Sequence, residues 1–375
     1  MKIAMLGHKR IPSREGGVEI VVEELATRMV QRGHDVTCYN RKGKHVMDKS
    51  IEENHLSEYK GIHLKSVLTI DKKGLSAMSA SFFASIQAAF SNCNVVHFHA
   101  EGPCATLWIP KLFGKRCIAT IHGLDHQRAK WGKLASTYIM MGEKCAVKYA
   151  DEIIVLSKGV QEYFEKTYGR KTVFIPNGVN KPSIVEANLI QKRFKLNKND
   201  YILYLGRIVP EKGIHYLIEA YNQIKTDKKL VIAGGSSDTD EYLKELKKMA
   251  NHNKNIVFTG FVQGQILDEL YSNAYIYCLP SDLEGMPLSL LEAMSYGNCC
   301  LVSNIEECSS VVDDKAVIFK KSEVEDLKNK LTLLVNDSQL VNKYKEIAAE
   351  YILSKYDWDK VTDNTLGLYE QVDFD

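Results

Sequence analysis

Proline is scarce, at 8 of 375 residues, and glycine stands at an ordinary 24, which excludes a collagen-like or proline-rich disordered chain. Nine cysteines are odd in number and form no C-x-x-C pair, so a fully bridged extracellular framework is not expected, and reduced thiols in a cytosol are. Long hydrophobic runs are missing. The longest uncharged stretch, between Lys73 and Glu101, is broken by Ser76, Ser79, Ser81, Ser85, Gln87, Ser91, Asn92 and Asn94, which speaks against a spanning helix. His8, Lys9 and Arg10 arrive too early for the apolar region of a secretory leader, so export is not expected. There is no G-x-G-x-x-G fingerprint of nicotinamide-dinucleotide binding, no repeat with a period of 20 to 50 residues, and almost no net charge, +2 overall.

The small net charge hides an asymmetry: 26 basic against 17 acidic residues up to position 180, and 23 against 30 beyond it. A basic half points to an anionic neighbour such as phosphates or a membrane surface; two ordinary solvated surfaces would also give it. No nucleic-acid partner is expected.

What is present is a chain long enough for two domains, 45 % hydrophobic and 26 % charged, as folded globular proteins are. Short β-branched runs at 2–7, 35–40, 62–67, 95–99, 117–123, 152–157 and 172–177 alternate with helical patterns such as 18–32. That alternation predicts an α/β fold with a parallel sheet. A polar stretch, 180–200, follows Pro176-Asn177-Gly178-Val179 and marks the boundary. Strands resume at 201–206, 229–235, 256–260, 275–281, 299–304 and 316–320, predicting a second doubly wound sheet. The expected division is 1–180, 181–355 and a final segment, 356–375, that crosses back to the first domain. Two such domains facing a central cleft would put the chemistry in the loops after strands.

The most informative loop is Ser281-Asp282-Leu283-Glu284-Gly285-Met286-Pro287-Leu288-Ser289-Leu290-Leu291-Glu292. Pro287 suits the first turn of a helix, which places Glu284 in the preceding loop and Glu292 inside, on the face of Leu288 and Leu291. A carboxylate on an apolar face calls for hydrogen-bond partners, and ligand hydroxyls would serve. The amides of Gly285, Met286 and their neighbours at the helix start suit a diphosphate. A dipole-favoured acid and an internal salt bridge would account for Glu284 but poorly for Glu292.

In Gly206-Arg207-Ile208-Val209-Pro210-Glu211-Lys212-Gly213, Arg207 and Lys212 offer a planar fork and a point charge to a departing diphosphate; a solvated loop with an Arg207–Glu211 contact is the plainer reading. Gly16 and Gly17 open a helix after the first strand, where a ligand or merely a tight loop could require them. His122 ends the strand begun at Cys117 and could reach a sugar hydroxyl, or be structural.

His97 and His99 share a strand face without a matching acidic or thiol pair at metal-ligand spacing, and read as core or cleft lining. Asp238-Thr239-Asp240 resembles a metal-chelating D-x-D, yet turn chemistry explains it. No metal site is expected. Residues 127–148, with Arg128, Lys130, Lys133, Lys144 and Lys148 among Trp131, Tyr138, Ile139, Met140 and Met141, and 75–90 with Phe82, Phe83 and Ile86, could lie on a bilayer or pack as ordinary amphipathic helices.

Taken in order, Gly16-Gly17, His122-Gly123, Asn177-Gly178-Val179, Gly206-Arg207 with Lys212, and Glu284 to Glu292 resemble the retaining glycosyltransferases of family four over nearly the whole chain. His8-Lys9-Arg10-Ile11-Pro12 and the run from His122 to Trp131 look closer still to bacterial rhamnosyltransferases of capsule and exopolysaccharide assembly, except that an aromatic residue is expected where His126 stands. The resemblance implies the two-Rossmann GT-B architecture and no cofactor or metal, with a dTDP- or UDP-linked sugar as co-substrate. Arg207 and Lys212 would neutralise the diphosphate, and Glu292 would hold the ribose. Glu284 with the Gly285, Met286, Pro287 and Leu288 segment would engage sugar and phosphate. His122 would meet the donor sugar, and Gly16, Gly17, Asn177 and Gly206 would line the substrate site. The acceptor implied is a lipid-diphosphate-linked saccharide, at the inner face of the cell membrane. A nucleotide-sugar 2-epimerase, which would convert donor without acceptor, and a silent nucleotide-sugar or glycan binder use the same scaffold.

Overall fold

The computed structural model describes residues 1–43, 56–72, 74–127, 132–235, 240–251 and 253–370. Its strands form two sheets in two units, Met1–Asn177 with the chain from Trp358 onward, and Gly178–Asp357. The changeovers fall at 177/178 and 357/358, a few residues from the expected 180 and 355. At both, the chain is held by one small feature: Val179 donates its N–H to the Tyr356 carbonyl at 2.9 Å and bridges Asp357.

In the first unit β1 (Lys2–Leu6), β2 (Asp35–Arg41), β3 (Glu58–Tyr59), β4 (Ile62–Val67), β5 (Val95–His99), β6 (Arg116–Ile121), β7 (Glu152–Val155) and β8 (Val173–Phe174) lie in the order β3-β4-β2-β1-β5-β6-β7-β8. All neighbours are parallel except β3, which runs antiparallel to β4. In the second, β9 (Tyr201–Leu205), β10 (Lys229–Ala233), β11 (Ile256–Gly260), β12 (Ile276–Leu279), β13 (Cys300–Ser303) and β14 (Val317–Phe319) are ordered β11-β10-β9-β12-β13-β14, all parallel. Strands covered on both faces need unbroken apolar runs, and β9 and β12 are buried at every residue. Each sheet reverses its winding once, between β1 and β5 and between β9 and β12. The crevice outside the carboxyl ends of strands at such a point is where open α/β sheets hold ligands.

The second core is unusually rich in buried tyrosine, and each hydroxyl is used. Tyr201 donates to the Leu270 carbonyl at 2.7 Å, Tyr204 to that of Arg207 at 2.8 Å and Tyr277 to Ser289 Oγ at 2.9 Å, so two of the three tie the core to residues of the switch-point loops or the helix behind them. The first core holds histidines instead. His97 is fully buried between the Tyr369 hydroxyl, 2.6 Å from Nδ1, and Thr120 Oγ1, 2.7 Å from Nε2; its ring lies 4.1 Å from that of His99.

Burial drives His97 down from 6.5 to about 3, and His8, despite Glu19 and Asn40, to about 4. With the folded-state value depressed, the unfolded chain binds more protons between that value and 6.5. Stability is therefore complete above pH 6.5 and declines as pH falls through the window, by about 1.4 kcal/mol per pH unit per histidine. Urea midpoints of His97→Gln measured at about pH 7 and pH 5 should fall less than those of the wild type, by roughly 2 kcal/mol. An equal fall would remove His97 from the account.

Eight of the nine cysteines are buried and all are unbridged. No helix of the described residues is long and apolar enough to cross a membrane.

Candidate active site

In the second unit the loops after β9 and β12 leave the sheet on the two sides of its switch point. Tyr204, Gly206 and Gly234 shape the first loop. Gly206 donates to Ala233 O at 3.0 Å, Ile208 to Gly235 O at 3.0 Å, and a Cβ on Gly234, at φ +151, would stand 1.8 Å from the Gly206 carbonyl oxygen. Further on, Gly213 takes φ +64, and a Cβ there would stand 2.0 Å from the Pro280 carbonyl oxygen. The Glu211 carbonyl accepts the Asp282 N–H at 2.9 Å. The two loops thus dock backbone to backbone, and their side chains meet where they dock.

Lys212 Nζ lies 2.5 Å from Glu284 Oε1, which also accepts the Ser281 hydroxyl at 2.6 Å. Ser281 in turn has its carbonyl held by the Ser303 hydroxyl at 2.5 Å. Both charged side chains are nearly withdrawn from solvent, 13 % and 6 % exposed, so the ion pair is strong only while both members remain. Asp282, next in the chain, accepts Tyr216 at 3.1 Å and Ser322 at 2.7 Å.

The helix Leu288–Ser295 starts one residue later than expected, with Pro287 as its N-cap in extended conformation; without an N–H, Pro287 suits that position. Gly285 and Pro287 are buried and Met286 half-buried in the segment leading into it. The first amides of any helix lack intrahelical acceptors. Glu292, half-buried on this helix, accepts the Tyr271 hydroxyl at 3.1 Å. Tyr271 supplies the polar partner that an inward carboxylate needs.

The sequence offers Glu211 only as a partner for Arg207. Instead its carboxylate is buried with no hydrogen-bond partner on either oxygen, between Pro210 and Lys212. Nothing in the sequence distinguishes that acid from a solvated loop residue. The signal lies in the docking of its own carbonyl against Asp282.

In the first unit Gly16 caps the helix Gly17–Gln31 in extended backbone, and a Cβ at Gly16 would stand 2.3 Å from Glu19 Oε2. Glu19 Oε1 accepts the Lys9 N–H at 2.8 Å, so a side chain at position 16 would push on the carboxylate that holds the loop after β1. Asn40 fastens the same loop, accepting Ile11 N–H at 3.0 Å, donating to Ile11 O at 2.9 Å and bonding His8 Nε2 at 3.0 Å. His122 follows β6 with Nε2 3.1 Å from His99 Nδ1, and Asn177 is buried at the unit's edge.

Asp240 begins the helix Asp240–Met249, whereas Asp238 and Thr239 lie outside the described residues, as do Arg128, Lys130 and Trp131. Among the described residues one group, Glu101, His126 and Glu143 in the first unit, could hold a metal ion. The sequence predicts no metal site there, because the three residues stand at no recognised ligand spacing.

Two family models divide the chain as its units do: residues 15–181 match glycosyltransferase family 4, and residues 185–351 match glycosyl transferases group 1. An uncharacterized glycosyltransferase of Methanocaldococcus jannaschii is 24 % identical, with 99 % of this chain and 98 % of the relative covered. A UDP-Gal:alpha-D-GlcNAc-diphosphoundecaprenol alpha-1,3-galactosyltransferase of Escherichia coli is 26 % identical over 69 % of this chain and 70 % of its own. Among solved structures, Anabaena HepE in complex with UDP and glucose superposes with a TM-score of 0.81 at 17 % identity, covering 98 % of both chains. Two Rossmann-like parallel sheets, each matched by its own domain model, make this chain a family-four, group-1 glycosyltransferase of the GT-B fold.

Proposed function

We propose that the chain moves a hexose or deoxyhexose, rhamnose in the first instance, from a dTDP- or UDP-linked donor to a lipid-diphosphate-linked saccharide in capsule or exopolysaccharide synthesis, retaining anomeric configuration and using no metal ion at the diphosphate. The observation that carries this reading is the Lys212–Glu284 pair, 2.5 Å apart where the loops after β9 and β12 dock. In the resting protein Glu284 holds Lys212; a bound diphosphate would draw the ammonium toward itself together with Arg207, leaving Glu284 to a sugar hydroxyl. Fixed cations stabilise a leaving diphosphate in the way oxyanion-hole donors stabilise an oxyanion. The acceptor hydroxyl attacks the anomeric carbon on the face from which the diphosphate leaves, the sugar–diphosphate bond breaking as its proton passes to the departing diphosphate oxygen, so no protein nucleophile is required. Glu292 would take the ribose and His122 the donor sugar. The substrate class draws support from one relative whose name carries UDP-Gal and a GlcNAc-diphosphoundecaprenol acceptor, and from a solved neighbour bound to UDP and glucose.

Exposed apolar side chains of the first unit support a membrane-facing role. Phe90 and Phe113 stack edge to face at 4.7 Å while 72 % and 50 % exposed. Phe82, Trp108 and Leu112, on the helices Leu75–Ala89 and Trp108–Leu112, are exposed as well. Aromatic side chains beside a net-basic half are what peripheral attachment to anionic lipid requires.

One experiment with two arms tests the reading. UDP or dTDP at a hundredfold excess over Kd, with divalent ions omitted, should stabilise the protein by about 2.7 kcal/mol, and Arg207→Ala should weaken that binding at least tenfold. In the second arm, the protein should sediment with vesicles containing anionic lipid at low salt and be released at high salt. Absence of any nucleotide-dependent shift sinks the donor assignment; absence of sedimentation sinks the membrane assignment.

A further inference from the structure

Three separated pieces of the first unit bring Glu101, His126 and Glu143 together: the turn after β5, the short turn Asp125–Gln127 and the helix Lys133–Tyr149. The helix passes so close to the turn that a Cβ on Gly142 would stand 2.0 Å from the Glu101 carbonyl oxygen. Both carboxylates are wholly buried. In each, one oxygen is held by the protein. Glu101 Oε2 accepts the Asp125 N–H at 2.8 Å, and Glu143 Oε1 accepts the hydroxyl of Tyr163 at 3.0 Å and that of Tyr168.

The other oxygen of each, Glu101 Oε1 and Glu143 Oε2, has no hydrogen-bond partner, and neither has Nδ1 of His126. These three atoms converge. Nδ1 lies 3.7 Å from the Glu101 oxygen and 3.5 Å from the Glu143 oxygen, and all three fall within 4.8 Å of one another.

Two buried carboxylate oxygens turned toward each other repel unless a shared proton or a cation sits between them. The separations suit a cation, because ligand bonds of about 2.0–2.2 Å in a tetrahedral site put ligand atoms roughly 3.3–3.6 Å apart. Donors on the far oxygen of each carboxylate fix its orientation, as outer partners do around bound metals. Magnesium and calcium favour six or more oxygens, whereas one imidazole and two carboxylates, leaving a fourth position for water, suit zinc.

We propose that Glu101 Oε1, His126 Nδ1 and Glu143 Oε2 bind one zinc ion that pins the loop after β6, the loop carrying His122, to the helix Lys133–Tyr149. The site is structural, and no step of the donor chemistry proposed above runs through the ion.

The test uses the full chain, purified without a metal-affinity tag and stripped by a chelating resin. Added Zn2+ should bind at one ion per chain by mass spectrometry of the metal and raise the melting temperature. Competition with a chromophoric chelator should show His126→Ala weakened at least 100-fold, and Tyr168→Phe, which keeps all three ligands, roughly 10- to 100-fold. His63→Ala, which removes an exposed histidine 3.6 Å from Asp35, should behave as wild type. Co2+ in place of zinc should give the strong visible bands of a four-coordinate ion, lost in Tyr168→Phe at limiting cobalt even if His126→Ala does not fold. Substoichiometric zinc in the wild type, or zinc binding unaltered in both His126→Ala and Tyr168→Phe, overturns the proposal; the carboxylates would then be reconciled by a shared proton.

Discussion

Glu284→Ala is expected to lower kcat/KM for sugar transfer by at least about 10²- to 10³-fold, the range found when one preorganised stabilising group is removed from an active site. The substitution acts twice. It takes away the acceptor proposed for the sugar, and it strands Lys212, whose side chain is only 13 % exposed, so the protein should also lose stability, by up to about 3–5 kcal/mol as in other broken buried pairs. Glu284→Gln separates the two effects. Its amide oxygen still accepts from Ser281 and Lys212, so folding should be largely kept while transfer remains impaired. Lys212→Met should impair transfer comparably, and because the pair acts as a unit the double variant should be little worse than either single one. Steady-state kinetics with urea unfolding on the wild type and the four variants decides the matter; wild-type kcat/KM in Glu284→Ala or in Lys212→Met would remove the pair from the mechanism.

Gly213→Ala should be nearly as damaging without touching a charge. A Cβ there meets the Pro280 carbonyl oxygen at 2.0 Å from a backbone held at φ +64. Left-handed strain on a non-glycine residue costs about 1–3 kcal/mol and overpacking about as much again, so a loss of about 3 kcal/mol or more is expected. The clash opens the seam that brings Lys212 to Glu284, and the remaining folded protein should bind nucleoside diphosphate more weakly. A melting temperature within a degree of wild type would show that the seam yields.

These two sites mark what the sequence made legible. The strands were readable because parallel strands buried on both faces are β-branched or aromatic runs, as in β9 and β12, and because glycines and a proline punctuate the loops after them. β3 was not, since two residues such as Glu58 and Tyr59 carry no periodicity; only their pairing with Ile62 and His63 makes them a strand. The loops bearing Arg207, Lys212 and Glu284 were legible as strand-to-helix loops. Their pairing was not, because Lys212 and Glu284 stand 72 positions apart. The Glu101–His126–Glu143 group is harder still, with each member in a different element and none at a recognised ligand spacing. The acid at 211 differs from the solvated acids around it only in being sealed off.

The return of the chain to the first unit has a consequence for its synthesis. The sheet of that unit is complete at Phe174, yet the carboxylates that pair with Arg32, Asp359 and Asp363 at 3.0 and 2.7 Å, and the Tyr369 hydroxyl that bonds His97 lie on the helix Trp358–Glu370. Domains generally fold in the order in which they leave the ribosome. In this chain the second unit, Gly178–Asp357, has all its residues before the helix Trp358–Glu370 is made, whereas the first unit needs that helix to give the buried His97 imidazole its Tyr369 partner.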